Sequence, residues 1–210
     1  MILYTTGHFD TRRMPELHLC LRKNAEVKDI KHIHLFIDCG LEHYANLQLS
    51  KLTVHPLDHR PTFADLIAAA EQTPSELALI TSGDVYLDES ISFLRGLEMK
   101  NKFMALSKWE TRDGQEVPKD EAHGTQDCWA FQPPLRMLPC NFPFGAPGCD
   151  NRIAAMAEEA KYLVFNPYFD IRLRHVHSDA NRVNYTAQAV PGPYGWSWPY
   201  RIRDGQLIKV

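Results

Sequence analysis

Short runs of apolar residues recur along the first hundred positions of the chain with the spacing of β-strands. Residues 2–6 are mostly β-branched and aromatic, residues 30–38 alternate between aliphatic and other side chains, and residues 52–55 form a shorter run. Residues 77–80 are apolar at every position, as expected of a strand that is buried on both faces of a parallel sheet. These four segments are predicted to be strands.

Helical signals lie between these strands. Pro15 opens a segment in which Leu17 and Leu21 are four residues apart, and Thr62 is positioned to cap a helix over residues 63–72. Strands and helices that alternate with short connections predict right-handed βαβ units and a doubly wound α/β sheet. Such sheets bind ligands beyond the carboxyl ends of their strands.

The second half of the chain is less regular, because it contains a proline-rich stretch over residues 133–147. Its periodic segments predict a helix at residues 150–161 and strands at residues 103–107, 128–131, 162–165 and 171–177. After residue 184 the chain is rich in Pro, Gly, Trp and Tyr, which indicates a tail that lies over the domain. We therefore expect one domain over residues 1–190 and a C-terminal tail over residues 191–210.

Composition narrows the class of protein. Of the 210 residues, 44% are hydrophobic and 23% are charged, and the net charge is −3, as in an ordinary globular protein. No stretch has the Lys and Arg density of a nucleic-acid arm, and no apolar run approaches the ~20 residues that span a bilayer. The N-terminus lacks the features of a signal peptide, so we expect a cytoplasmic protein. Five cysteines without a CxxC pair predict reduced thiols.

The acid that follows the most apolar strand is a candidate ligand-binding residue. Asp84 comes after Ser82 and Gly83, and a carboxylate at the end of so apolar a strand is expected to serve a function. It could hold Mg²⁺ or Mn²⁺ against a diphosphate, because these cations prefer carboxylate and phosphate oxygens. The structural alternative is that Asp84 only closes a turn.

Two pairs of histidines have the spacing that puts both rings on one face of a strand. His175 and His177 lie near the end of a predicted strand, and with Asp84 they could complete a metal site. The alternative for this pair is an exposed strand edge. His32 and His34 have the same spacing, but no candidate catalytic residue adjoins them, so we interpret them as structural.

Asp127 and Asp150 are candidate catalytic acids. Asp127 precedes the predicted strand at 128–131, and Asp150 follows a glycine-containing loop, residues 144–148, that would let a substrate approach closely. Asp150 could instead be a helix cap. The GxGxxG, P-loop, GxSxG and HExxH motifs are absent from the sequence, which excludes the common dinucleotide-binding, NTPase, serine-hydrolase and zincin classes.

Several short motifs follow one another along the chain. They are TSGDVY (81–86), ALSKWE (105–110), QDCWAF (126–131), GAPGCDNRIA (145–154), VFNP (164–167) and HVH (175–177), followed by Arg182 and Tyr185. Together and in this order they resemble small nucleotide-sugar glycosyltransferases of the GT-A fold, over residues 1–190. The resemblance implies a Rossmann-like, mostly parallel central sheet flanked by helices. Residues 1–100 would form the nucleotide-binding half and residues 101–190 the acceptor half, with the tail beyond.

The resemblance also implies roles for individual residues. Asp84 would be the surviving acid of the family's metal-binding DxD motif, in which Ser82 stands here in place of the first acid. Asp127 would lie by the donor sugar or the acceptor, and Asp150 would be the base of an inverting enzyme. The residues implied to contact the nucleotide sugar are Thr5, Thr6, Asp38, Arg60, Ser82, Gly83 and Asp84.

The sequence therefore predicts a glycosyltransferase that moves a sugar from a nucleoside-diphosphate sugar to a hydroxyl acceptor, assisted by Mn²⁺ or Mg²⁺. The acceptor stays open between a glycan, a lipid-linked sugar and a hydroxymethylated base of viral DNA. The last of these is disfavoured, because the chain is acidic and has no basic run for phosphate contacts.

Two other classes of protein remain as alternatives. A metal-dependent hydrolase could be built from the acidic and histidine candidates, which are Asp84, Asp127, Asp150, His175 and His177. A non-catalytic sugar-binding module could use the aromatic residues of the tail as stacking platforms, namely Trp196, Trp198 and Tyr200.

Overall fold

The computed structural model describes residues 1–7, 10–112, 115–118, 124–137, 139–176 and 188–210. Along the chain the strands are β1 (Ile2–Gly7), β2 (His32–Ile37), β3 (Leu52–Pro56), β4 (Ala78–Thr81), β5 (Val85–Leu87), β6 (Lys102–Leu106), β7 (Trp109–Arg112), β8 (Gln115–Pro118), β9 (Cys128–Phe131), β10 (Leu163–Phe165), β11 (Leu173–His175), β12 (Tyr200–Arg203) and β13 (Gln206–Lys209). The α-helices are α1 (Met14–Glu26), α2 (Leu41–Ala45), α3 (Phe63–Glu71) and α4 (Cys149–Glu159), and a 3₁₀ helix spans Glu89–Gly96.

The central sheet is mostly parallel. Within the described part of the chain it has seven strands in the order β3-β2-β1-β4-β9-β6-β10. The exception to the parallel arrangement is β9, which pairs antiparallel with both β4 and β6. This architecture confirms the predicted α/β fold with a Rossmann-like sheet flanked by helices.

Alternate strand residues enter two apolar clusters on opposite faces of the sheet. Leu3, Ile33 and Leu79 pack with α1 on one face, whereas Tyr4 and Ile80 pack with α3 and α4 on the other. Because helices cover both faces, the middle strands are buried at consecutive positions, and this is why β4 has no polar alternation.

Side chains near the ends of two helices make defined contacts. Thr62 caps α3 as predicted: its hydroxyl accepts from the backbone of Asp65, whose carboxylate accepts from the backbone of Thr62 at 2.8 Å. Helix α1 continues to Glu26, and Asn24 in its last turn contacts β5. Its buried amide donates to Val85 and accepts from Leu87, at 3.1 and 2.9 Å, so that it fixes α1 to β5.

The sequence pattern predicted β11 of a second sheet, but it did not predict β5, β7, β8, β12 or β13. The second sheet has the order β5-β11-β7-β8, and β12 and β13 form a hairpin within the predicted tail. The hairpin turns at Asp204 and Gly205, which both have positive φ, and it buries Ile202 in the core. The five strands that were not predicted have three or four residues each and lack the apolar run that marks β4 and β9.

Two further predictions can be compared with the structure. The five cysteines all lie within the described residues and are free thiols, as expected. No helix in the described ranges combines the length and the apolar content needed to cross a membrane.

Histidines of β2 and β3 form a compact cluster with Tyr4. His34 Nδ1 lies 2.8 Å from His55 Nε2, and the His34 ring stacks on Tyr4 with centroids 5.1 Å apart. The His32 ring lies 4.8 Å from that of His34. Burial, reinforced by the neighbouring imidazoles of His32 and His55, lowers the pKa of His34 to about 4. The cluster is therefore built to hold His34 in its neutral form.

We predict that acid destabilises the protein through this cluster. Between about pH 6.5 and about pH 4 the unfolded chain binds a proton on His34 that the folded chain does not, so stability falls as the pH falls. Replacing His34 by Phe keeps a ring on Tyr4 and should reduce the drop in melting temperature between about pH 7.5 and about pH 5. His43→Gln alters a half-buried histidine outside this cluster and should follow the wild-type profile. A pH-independent wild-type melting temperature would contradict the prediction.

Candidate active site at the carboxyl edge of the sheet

Segments from several elements meet at the carboxyl edge of the central sheet. Strands β4 and β6 end there, and the antiparallel β9 begins there, because Thr81 and Leu106 both pair with Cys128. The backbone of Asp127 accepts from Ser82 N at 3.0 Å and donates to Leu106 O at 3.1 Å. Residues from three separate sequence motifs are thus brought together.

Gly83 lies close against the end of β1 at this edge. A Cβ atom built on Gly83 would lie 2.2 Å from the carbonyl oxygen of Thr6, at the end of β1. A glycine is therefore required for the loop to pass over the end of β1. This contact explains why the predicted nucleotide-binding residues Ser82, Gly83 and Asp84 lie directly above β1.

Asp84 is held by two nitrogen donors. Arg13 Nη2 lies 2.7 Å and His175 Nε2 lies 3.2 Å from the same carboxylate oxygen, Oδ2. Arg13 also contacts Glu16 at 3.1 Å, which fixes the guanidinium at the start of α1. Burial by itself would raise the pKa of Asp84, but His175 and Arg13 outweigh it and hold that pKa well below its usual range. Asp84 is therefore an ionised carboxylate.

Asp127 pairs with a lysine. Lys108 Nζ lies 3.2 Å from Asp127 Oδ2, and the Ser82 hydroxyl donates to Asp127 Oδ1 at 3.3 Å. Burial opposes the charge on Lys108, but the carboxylates of Asp127 and Asp84 more than offset it, so the pKa of Lys108 is raised. A permanent cation therefore lies near both acids.

Asp150 lies in the first turn of α4, in different surroundings. The N-cap of α4 is Gly148, so the alternative in which Asp150 caps the helix is wrong. Burial, together with the negative charge of Asp127, raises the pKa of Asp150, although backbone N–H groups of Asn151 and Gln126 oppose the shift. Burial is therefore the larger influence on the pKa of Asp150, and it outweighs the backbone donors at the start of α4.

The residues predicted to contact the nucleotide from β1, β2 and the following loop differ from one another in exposure. Thr5 is 2% exposed, and its hydroxyl donates to the carbonyl of Thr81 at 3.0 Å, so it joins two strands instead of facing a ligand. Thr6 is partly exposed, and Asp38 is exposed at the end of β2. Arg60 donates to Phe144 O at 3.1 Å. Burial lowers the pKa of Arg60, and the negative charge of nearby Asp38 opposes that shift.

Two basic residues of this edge, Arg13 and Lys108, were missed as site residues by the sequence interpretation. Lys108 is part of the ALSKWE motif, so its position between two predicted acids was a usable signal. Arg13 is 71 residues from Asp84 in sequence and offers no local signal of that contact. His177, a predicted metal ligand, lies outside the described residues.

The side chains described around Asp84 suit a metal ion that binds together with a diphosphate. In the part of the chain that is described, no three His, Cys, Asp or Glu side chains converge on a common point. Among the described residues, Asp84 and His175 therefore have no third side chain that would complete a protein-only metal site. A Mg²⁺ or Mn²⁺ ion that arrives with a diphosphate needs only one or two carboxylates, since phosphate oxygens and water complete its shell. Asp84 fits that second arrangement.

Comparison with known proteins finds similarity in fold but not in sequence. No family model matches the chain, and no curated protein is significantly similar to it in sequence. A mannosyltransferase from Pyrobaculum calidifontis, solved in complex with GDP-Man and Mn²⁺, is 14% identical with a TM-score of 0.55, over 79% of this chain and 54% of that one. The 4-diphosphocytidyl-2C-methyl-D-erythritol synthase from Anaerococcus prevotii is 17% identical with a TM-score of 0.52, over 86% of this chain and 91% of that one.

A third structure overlaps in part. S. aureus TarS 1–349, in complex with UDP-GlcNAc, is 18% identical with a TM-score of 0.38. The matched region covers 56% of this chain and 36% of the TarS fragment. This chain thus spans about half of the mannosyltransferase and about a third of the TarS fragment. The protein has a GT-A-like fold, which glycosyltransferases and nucleotidyltransferases share.

The contact between Gly83 and β1 yields a stability prediction. Gly83→Ala should lower the free energy of unfolding by roughly 1–3 kcal/mol, because the new methyl group meets a backbone oxygen that cannot rotate away. Gly96→Ala is the matched control, since a Cβ there would have no neighbour within 4 Å. Urea denaturation of both variants measures the difference. Equal stability of the two would show that the loop relaxes freely.

Proposed function

We propose that the chain is a glycosyltransferase that moves a sugar from a nucleoside-diphosphate sugar to a hydroxyl acceptor. The observation that carries this proposal is the pair of acids in different electrostatic surroundings. Asp127 pairs with Lys108, whereas Asp150 has a raised pKa and no cation among the described residues. Two neighbouring carboxylates whose surroundings shift their pKa values differently are typical of acid–base sites. The GT-A-like fold supports the proposal, because proteins with this fold include nucleotide-sugar transferases.

Asp150 is the proposed general base. A hydroxyl group is a weak nucleophile at neutral pH, so it needs a base within hydrogen-bond reach. The acceptor oxygen would form a bond to the anomeric carbon of the donor while the bond from that carbon to the phosphate oxygen breaks. The acceptor proton passes to Asp150, and the electron pair leaves with the nucleoside diphosphate. A raised pKa makes the carboxylate a stronger base, as long as the pH stays above that pKa.

Lys108 is the proposed partner of the departing diphosphate. Its ammonium group lies near Asp127 and carries a raised pKa, so it stays charged at neutral pH. A fixed cation in a partly buried site stabilises negative charge more strongly than it would in water. A divalent cation bound with the donor, with Asp84 as its protein ligand, would add Lewis-acid stabilisation of the same group.

The donor nucleotide is proposed to lie over the ends of β1, β2 and β4. Asp38 is exposed there and can accept hydrogen bonds from a ribose or a base, and Arg60 brings a positive charge to the same side. Ser82 and Gly83 present backbone without bulky side chains, which leaves room for a diphosphate. Thr6 borders this surface. Thr5 is not part of the proposed donor site, because its hydroxyl is used inside the sheet.

The donor is tested first. Melting temperatures should be measured with UDP-, GDP-, ADP- and CDP-sugars, with Mn²⁺ and with EDTA, and one nucleotide sugar should stabilise the protein. A nucleotidyltransferase would instead be stabilised by a nucleoside triphosphate and would release diphosphate. A metal-dependent hydrolase would be stabilised by the metal alone. No stabilisation by any nucleotide sugar would contradict the proposed function.

The role of Asp84 yields a specific prediction. Asp84→Asn should abolish the part of the donor-induced thermal shift that depends on Mn²⁺, because a neutral amide is a weaker ligand for a hard cation. It should also lower the melting temperature of the free protein, since Arg13 and His175 lose their carboxylate. Arg13→Gln is the matched control: it should lower the melting temperature in the same way yet keep the Mn²⁺ dependence. Equal wild-type shifts in Mn²⁺ and in EDTA would exclude the metal role.

The proposed role of Asp150 as a base yields a second specific prediction. Asp150→Asn should lower kcat by roughly 10²–10⁴-fold while donor binding is retained, because an amide cannot accept the proton. The melting temperature should not fall, since the substitution removes a carboxylate whose burial is only partly compensated. Asp204→Asn, in the turn between β12 and β13, is the control and should leave kcat unchanged. Near-wild-type transfer by Asp150→Asn would exclude the base role and would direct attention to Asp127 or to a retaining mechanism.

A further inference from the structure

Residues 194–198 pass the start of α4 with an inverted pattern of burial. Gly195 and Ser197 are buried, whereas Tyr194, Trp196 and Trp198 are each 48% exposed. Soluble proteins ordinarily bury large aromatic side chains and expose small polar ones. Here the backbone turns the small residues inward and the aromatic rings outward. Such a row of exposed rings indicates a binding surface.

The backbone of this segment is fixed to α4. Gly195 donates to Asn151 O at 2.8 Å, and the Asn151 side chain donates back to Gly195 O at 3.2 Å. Arg152 donates to Pro193 O at 3.2 Å. A Cβ atom on Gly195 would lie only 2.5 Å from the backbone nitrogen of Ala155, so the segment lies directly on the helix. The rings are therefore held in place before any ligand arrives.

Two of the rings border the segments that carry the acids. A Cβ on Gly148, two residues before Asp150, would lie 2.9 Å from the Tyr194 ring. A Cβ on Gly124, three residues before Asp127, would lie 2.9 Å from the Trp196 ring. Each ring thus occupies the space that a glycine leaves beside an acid-bearing segment. The aromatic row begins next to the proposed general base.

We propose that Tyr194, Trp196 and Trp198 form the acceptor subsite and bind the sugar rings of a saccharide. This rests on the proposed function, because the acids of that reaction define which end of the row is the reacting one. The C–H bonds on one face of a pyranose carry partial positive charge and are attracted to the electron-rich face of an aromatic ring. A fully extended backbone would separate the Cα atoms of residues 194 and 198 by roughly 13 Å, a span that accommodates more than one sugar.

Charge favours a neutral saccharide over a nucleic acid, whose bases also stack on aromatic rings. The segments that carry Asp127 and Asp150 border Trp196 and Tyr194, and Asp127 is paired with Lys108. Asp150 has no lysine or arginine partner among the described residues and would repel a phosphate backbone. Lys209, 5.7 Å from the ring centre of Trp198, is a cation at the other end of the row. The chain as a whole carries a net charge of −3. A polymer with one phosphate per residue therefore gains little here.

Affinity electrophoresis tests the subsite directly. Wild-type protein should be retarded in native gels that contain at least one of dextran, α-mannan, β-glucan or galactan. Tyr194→Ala and Trp196→Ala should each weaken this retardation about three- to tenfold, the loss expected for one stacked ring. Phe93→Ala is the matched control, because Phe93 is a 47% exposed ring on the 3₁₀ helix. It should leave the retardation unchanged.

Donor binding, measured in parallel by thermal shift, separates this proposal from the proposed function. The aromatic variants should keep the wild-type response to the nucleotide sugar. Retardation by single-stranded DNA alone, by no polysaccharide, or equally in all variants would overturn the saccharide subsite even if donor binding is intact. Polysaccharide binding without any donor binding would overturn the glycosyltransferase proposal, and with it the acceptor role, while the saccharide site would stand.

Discussion

A carboxylate that leaves water must gain a cation or hydrogen-bond donors, and this requirement governs the edge of the sheet where three acids meet. Asp84 meets it with Arg13 and His175, and Asp127 meets it with Lys108. Asp150 receives backbone donors, but no lysine or arginine within the described ranges pairs with it. Its burial is only partly compensated, so its pKa rises. The partner of each acid, and not the residue type, sets what that acid can do.

The topology of the sheet determines which partner each acid finds. Lys108 follows β6 and Asp127 precedes β9, and these neighbouring strands are antiparallel, so the end of one and the start of the other share an edge. If β9 ran parallel to β6, the first residue of β9 would lie at the opposite edge of the sheet. That edge is one four-residue strand away, which is roughly 13 Å. Asp127 would then lose Lys108 and Ser82 together. Among the described strands of the central sheet, the reversed β9 is what brings Asp127 to the edge where Asp84 lies.

Features with a local physical cause were readable from the sequence. The cap at Thr62, the apolar β4 and the alternation of β2 each depend on neighbours within a few residues, and the order of the motifs indicated the fold. The contact of Arg13 with Asp84 depends instead on α1 and β4 reaching the same edge, and no local pattern reports that. The pKa of Asp150 depends on burial, which the sequence shows only as a carboxylate near a helix start. Strands β5, β7 and β8 are stable only through pairing, so they left no period.

The start of α4 links the proposed chemistry to the aromatic row. Asp150 belongs to its first turn, Asn151 holds the backbone of Gly195, and Gly148 leaves space for the Tyr194 ring. One rigid helix end therefore fixes the distance between the proposed base and the surface that would present the acceptor, without any flexible side chain between them. The proposed donor contacts come from β1, β2 and β4, on other parts of the chain. Substitutions in residues 194–198 would therefore alter the proposed acceptor surface and leave the proposed donor surface unchanged.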